Sequence, residues 1–392
     1  TLFYKDTAVH PVGISLPSEL VARAVPAKPE GLPTVARFAG SRAGGDTKEY
    51  TFGPLDEEAY HAWYAQHRFA VTRRKGGWDA LRHAEVLAAG TVPLFEQLAE
   101  APPYAIPFVP VEQLLKAEQE MADYGSHMEA AYNATVEALL AHTRRCLTAE
   151  AMAAHVLGTM GLWPPPRGKP LRVLYVSCGW GWSGAVNDGW QGPVSIGLFI
   201  GLQRLLSSLP NGLGRLVDAP PLPGANWTPP ENLAPTYLWY TYQQEGEAGE
   251  AGSEEETRRL MYGFGFSYAR RLPRVLMATE EERTSVVDDI HRRAFDAVIF
   301  GKVGPAQGCE PLPYFDDVQA AGYPPQRVAL IYGGDFGLHF GNTSRHIRLL
   351  GSYGTVFVRE LDADASLFQS RPASVLPAAC YMENEWRLFF KL

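Results

Sequence analysis

Cysteine is scarce in this chain: Cys146, Cys178, Cys309 and Cys380 are the only four in 392 residues. None forms a C-x-x-C pair, which argues against a structural zinc site. Buried free thiols are the expectation, with one or two disulfides as the alternative. Long apolar runs are missing too, so no membrane span is expected. There is no excess of positive charge. A net charge of −8 and a pI of about 5.7 exclude a whole-chain field that would draw in nucleic acid, and no nucleic-acid partner is expected. No G-x-x-x-x-G-K-[ST] loop occurs, which removes the P-loop nucleotide enzymes. No signal-peptide pattern opens the chain, and residue 1 is Thr. The sequence is therefore expected to be processed, trimmed or cut from a longer polypeptide, or part of a larger assembly.

What is present is an apolar fraction of 46%, enough for one large domain or two of ordinary size. Residues 1–115 read as α/β, with short strands expected at Val9–Leu16, Thr34–Ala39 and Arg68–Thr72. Residues 116–164 read as a helical segment, and Trp163–Pro170 as a boundary, since three successive prolines cannot continue a helix. Residues 165–392 form a second α/β unit. Its strands are expected at Leu171–Val176, Arg215–Asp218, Asp296–Phe300, Arg327–Tyr332 and Gly354–Val358, and its first helix at Ile196–Leu206. Strands alternating with helices imply a mainly parallel sheet covered on both faces, with ligands at the carboxyl ends of strands. Two such units would enclose a cleft. The Glu- and Gly-rich stretch 244–257 reads as an acidic loop without a core of its own.

The densest stretch is Arg68–Phe95, RFAVTRRKGGWDALRHAEVLAAGTVPLF. It reads as a strand, a glycine turn, a helix and the next strand. Leu81, Ala84, Leu87 and Ala88 are spaced for one buried helical face, leaving Arg82, His83 and Glu85 mainly off it. Asp79 is placed to cap the helix. A glycine turn at a helix N-terminus is an anion site, so Gly76 and Gly77, with Lys75, Arg73, Arg74 and Arg82 around them, are candidates to hold a phosphate. Trp78 reads as a packing residue, with base stacking as the competing role. His83 is either a satisfied helix histidine or a donor to a sugar or diphosphate.

On Lys75, Gly77, Trp78, Asp79, Arg82, His83, Glu85, Gly90, Pro93 and Phe95, the segment resembles the donor-site segment of exostosin-like GT-B glycosyltransferases. Met261–Leu272, Asp296–Val303, Arg327–Gly337 and Thr355–Leu361 are similar to the partner domain of these proteins. The resemblance implies two Rossmann-like domains facing a cleft: a donor domain at 1–115 and an acceptor-side domain at 165–392, joined by the helical segment. It implies a nucleotide-sugar donor, with Glu85 as ribose ligand and Arg82 or Lys75 on the diphosphate, and a glycan or glycoprotein acceptor. The order is reversed relative to that family, because the VREL segment (Val358–Leu361) follows the GWD segment here. The opening residues Thr1–Asp6 resemble what ordinarily comes just after VREL. A circular permutation, or a segment cut from a tandem array, accounts for both features.

Inverting sugar transfer needs a base for the acceptor hydroxyl. Asp188, in the loop Gly179–Gly192, and Asp335 and His339, in the loop after Tyr332, are the candidates. For the two aspartates the competing role is a turn cap. The glycines of 179–192 are read as a cleft loop and not as a dinucleotide fingerprint. Metal-independent transfer is expected, with the helix dipole and basic groups neutralising the leaving group. A catalytically inactive scaffold subunit is the alternative, and a donor pocket filled by side chains near Glu85 would mark it. Asn133, Asn226 and Asn342 lie in N-x-[ST] sequons and favour a secretory route.

Overall fold

The computed structural model describes residues 2–4, 7–30, 34–36, 52, 56–74, 77–102, 105–120, 128–176, 193–219, 268, 278–303, 312–333, 351–360 and 368–369. The protein is α/β, with one large sheet and one small one. The strands are β1 (Leu2–Tyr4), β2 (Thr7–Pro11), β3 (Val35–Ala36), β4 (Phe69–Thr72), β5 (Val92–Phe95), β6 (Leu171–Val176), β7 (Gly214–Ala219), β8 (Ala297–Phe300), β9 (Val328–Tyr332), β10 (Thr355–Val358) and β11 (Phe368–Gln369). The large sheet runs β11-β1-β2-β10-β9-β8-β6-β7, and the small one β3-β4-β5. The six strands from β2 to β7 are parallel to their neighbours. The hairpin β1–β2 and the pair β1–β11 are antiparallel, and the small sheet is wholly parallel.

Strand chemistry explains the large sheet. Val298–Phe300 and Val328–Ile331 are apolar without interruption and almost fully buried, as a strand covered on both faces requires. The expected strands at 171–176, 215–218, 296–300, 327–332 and 354–358 are all present to within a residue or two. The first strand differs: it covers Thr7–Pro11, and it pairs with β10 of the large sheet, not with β3–β5. Val9 decides this: it is fully buried, pairs in register with Val356 and belongs to the same apolar cluster as Val356 and Val358. Beyond Pro11 the Val12 amide still donates to Val358 O, and Leu16 then clamps the connection between two helices through Leu147 O and the Ala149 amide. The opening strands thus lie beside the VREL strand.

Nine helices of the described residues complete the fold: α1 (Glu57–Ala65), α2 (Leu81–Ala88), α3 (Val111–Glu120), α4 (Glu129–Cys146), α5 (Ala149–Thr159), α6 (Pro193–Ser207), α7 (Glu280–Thr284), α8 (Val286–His291) and α9 (Phe315–Ala321). Helix α5 starts where the Thr148 hydroxyl accepts from the Ala151 amide, a standard N-cap. It is buried along most of its length and packs on α6. Gly201 makes the close approach possible, since a Cβ there would overlap Ala149 O. One apolar cluster runs unbroken from Phe69 and Trp78 in the small unit, through Leu139, Met152 and Phe199, to Tyr175 and Phe357 in the large sheet. Lys28 ties two helix ends together: its ammonium donates to Ala65 O and Gly90 O at 2.9 Å each, where the dipoles favour a cation. Burial lowers its pKa to about 8. Cys146 is disulfide-bonded, which corrects the free-thiol expectation there; the other three cysteines lie outside the described residues.

Candidate functional site

The site forms where the turn before α2 meets the end of β10. Strand β4 delivers the chain to Gly77–Ala80, and α2 follows. All of α2 from Arg82 to Ala88 is buried, so the expectation that Arg82, His83 and Glu85 face outward is corrected. The helix packs against α1, α4, β4 and β5 together, which leaves it no solvent face. Helical spacing reports one apolar stripe and cannot see that a second layer covers the other side.

Glu85 is 4% exposed. One carboxylate oxygen accepts from the Tyr60 hydroxyl at 2.6 Å and the other from the Tyr268 hydroxyl at 2.6 Å. Tyr268 also lies 3.2 Å from His61 Nε2. Burial first, then the charge of Glu85, raises the Tyr60 pKa well above its ordinary value, and burial raises Tyr64 to about 12. These phenols therefore stay protonated at neutral pH, and Tyr60 is a standing donor to Glu85. Arg82 is buried beside Tyr60 and Tyr64, and its charge opposes those rises.

Asp79 does not cap α2. The N-cap is Ala80, which offers no side-chain bond. The Asp79 carboxylate instead accepts from the Ile14 amide at 2.7 Å and from Arg359 Nε at 3.3 Å, because the large unit presents two donors where solvent would otherwise be. The Arg359 guanidinium also donates to Asp79 O and, at 3.5 Å, to Gly333 O. Glu360 completes the knot. Its Oε1 accepts from the Asp79 amide at 2.6 Å and from Arg359 at 3.0 Å. A Cβ on Gly77 would overlap this carboxylate, which explains glycine at that position better than a bare turn does. The Glu360 backbone sits at φ 51°, a left-handed conformation that non-glycine residues adopt at a cost. Burial, with the negative charge of Asp79 adding to it, raises the Glu360 pKa to about 7 against the opposing pull of Arg359 and the Asp79 and Trp78 amides.

His83 is a satisfied core histidine. Nε2 donates to Trp78 O at 3.0 Å, which leaves Nδ1 to accept from the Thr72 hydroxyl at 2.9 Å. Its ring lies 4.2 Å from that of Phe95, so the donor role toward sugar or diphosphate is corrected. Trp78 packs near Phe95 and carries Arg74 over its ring.

Lys75 and Gly76 lie outside the described residues, as do Asp188, Asp335 and His339, the acidic stretch 244–257, Asn226 and Asn342. Asn133 sits in α4. Two short motifs call for a correction at the sequence level. Gly179-Trp180-Gly181-Trp182-Ser183-Gly184 does have G-x-G-x-x-G spacing, a weak signal on its own. Asp362-Ala363-Asp364 is a D-x-D triplet, so metal-independent transfer draws no support from the motif content. Both motifs fall outside the described residues. Among the described residues no group of three His, Cys, Asp or Glu side chains could hold a metal, and no helix is long and apolar enough to cross a membrane.

Sequence reasoning named Glu85, Arg82, Gly77 and Asp79, and these do gather around α2. It missed Tyr60, Tyr268 and the seating of Glu360. Tyr60 carried a usable signal, as an aromatic on the helix preceding β4; Tyr268 is 183 positions from Glu85 and carried none. Comparison of the chain with protein-family models, with curated proteins and with solved structures gives no match.

Proposed function

We propose that the chain is a glycosyltransferase of GT-B type, with two Rossmann-like units facing a cleft, that moves a sugar from a nucleotide-activated donor to a hydroxyl of a glycan or glycoprotein. The observation that carries this reading is the buried Glu85 carboxylate holding one hydroxyl on each oxygen at 2.6 Å. A ribose offers the same pair of hydroxyl donors. In the turn before the same helix, the Asp79 amide donates to a Glu360 carboxyl oxygen, as it would to a phosphate oxygen of a diphosphate. In this reading Glu85 takes the ribose, and the Gly76–Gly77 turn, Arg82 and Lys75 take the diphosphate. A base among Asp335, Asp188 and His339 removes the acceptor hydroxyl proton. The acceptor oxygen bonds to the anomeric carbon as the carbon–oxygen bond to phosphate breaks, and the electron pair leaves on the diphosphate. The N-terminal end of α2 and the basic groups stabilise that charge without a metal.

A second reading, an inactive scaffold subunit, is favoured by the same contacts seen from the other side: Tyr60, Tyr268 and Glu360 already fill the positions a donor would need. Thermal-shift binding with a panel of nucleoside diphosphates and nucleotide sugars separates the two. At about 100-fold excess over Kd a ligand adds roughly 2.7 kcal/mol. The donor reading expects a base-selective shift in the wild type that vanishes in Glu85→Ala. No shift with any nucleotide would leave the scaffold.

A further inference from the structure

The knot at Glu360 does more than join two parts of the chain. It contains an internal carboxylate, buried to 3% exposure, whose reach ends on a backbone amide and not on a cation alone. The groups that face it, among the described residues, are Arg359 from the end of β10, Asp79 from the turn before α2, and the amides of Trp78 and Asp79. Asp79 in turn is held by Arg359 and by the Ile14 amide. Two carboxylates therefore converge on one guanidinium. Three independent features hold Glu360 in place: the absence of a side chain at Gly77, the left-handed backbone at residue 360, and the short bond from the Asp79 amide.

We propose that Glu360 is a built-in occupant of the Trp78–Asp79 turn, seated there together with a proton, so that the turn is shut in acid and released to an outside anion as pH rises. The biological identity of that anion rests on the donor-site reading above; the seat itself does not. A carboxyl whose folded pKa stands above its ordinary value binds more proton when seated than when free. The seat is therefore most stable below the ordinary carboxyl range, near pH 4.5, and it weakens as pH climbs through about 7. Unseating releases a proton, and the direction is opposite to that of an ordinary ion-paired glutamate.

The test is hydrogen exchange at the amides of residues 77–80, corrected for the intrinsic pH dependence of exchange, from pH 5 to pH 8. The wild type is expected to lose protection by roughly tenfold or more over that range. In Glu360→Gln the protection should no longer depend on pH. A flat wild-type profile, or the same slope in the variant, overturns the proposal. If Glu360→Gln does not fold, a carboxyl carbon NMR titration of the wild type reads the same group, and a midpoint near 4.5 sinks the idea. For the release step, sulfate serves as the outside anion because it does not titrate in this range. Its affinity should rise with pH in the wild type and stay low and pH-independent in Glu360→Gln, whose neutral amide mimics the protonated, seated side chain; a wild-type affinity that does not rise with pH refutes release. Failure of every nucleotide to bind, with the exchange and sulfate results as expected, would remove the donor reading and leave the switch.

Discussion

The large sheet and the helix α2 bury very different things. In the sheet, β6, β8 and β9 put apolar side chains into both faces, and their charge lies near the strand starts: Arg172 and Arg215, partly exposed at the starts of β6 and β7, pair with Asp289 and Glu282 on the neighbouring helices. In α2 and the turn before it, Asp79, Arg82, His83 and Glu85 are all buried within seven positions, each less than 10% exposed. Burying charge costs several kcal/mol per ion unless partners compensate, and α2 draws its partners from β4, α1, β10 and Tyr268. A fold needing stability alone would place apolar residues there, as the sheet does. Buried charge of this kind occurs in binding sites and in structural ion-pair networks alike.

This contrast can be broken at several points. The largest effect is expected on the packing side. Gly201→Ala drives a Cβ into the α5 backbone at Ala149 and should cost about 3 kcal/mol in urea unfolding; a loss below about 1 kcal/mol would mean that the α5–α6 contact is slack. Next comes the acid limb. His10 and His155 both lie near the Phe357 ring, and burial holds each pKa down to about 4. The unfolded chain binds protons that the folded state refuses, so this stabilisation is complete above pH 6.5 and is lost as pH falls toward 4, by roughly 2 kcal/mol or more for the pair. The variant His155→Gln should flatten that slope, measured as ΔG of unfolding against pH.

On the charged side, Glu85→Ala leaves the Tyr60 and Tyr268 hydroxyls buried without their acceptor and should cost about 2 kcal/mol. Equal stability in Glu85→Ala and wild type would show that water replaces the carboxylate and that the pocket is open. The smallest effect is expected at Lys116→Ala. Its pair with Glu120 is well exposed on α3, and its loss should change stability by less than about 0.5 kcal/mol; a larger change would undo the division between exposed charge and buried charge.

The elements were largely legible because their signals are local. Alternating or unbroken apolar runs bounded by Gly and Pro marked β4 to β10, and Pro164–Pro166 marked the join. The crowding of Arg82, Glu85 and Asp79 near a glycine turn was legible as well, since all three lie within one short segment.

Direction and partnership were not. Asp79 looked like a cap because capping is the one role that neighbours in sequence can assign; Ile14 and Arg359 claimed it instead. The polar side of α2 looked exposed because periodicity describes a helix against one layer, and here α1 and Tyr268 supply another. Val9 looked like part of the first unit because it is near that unit in sequence, yet the sheet edge at β10 had room for a parallel strand. Sequence alone determined which segments are strands and helices and which of them concentrate charge, since those properties follow from backbone propensity and side-chain pattern within a few residues. Only the tertiary structure decided that Glu360 fills the turn at Gly77 and that two tyrosines hold Glu85, because these contacts join residues 281 and 183 positions apart and exist only once the sheets have packed and excluded water between them.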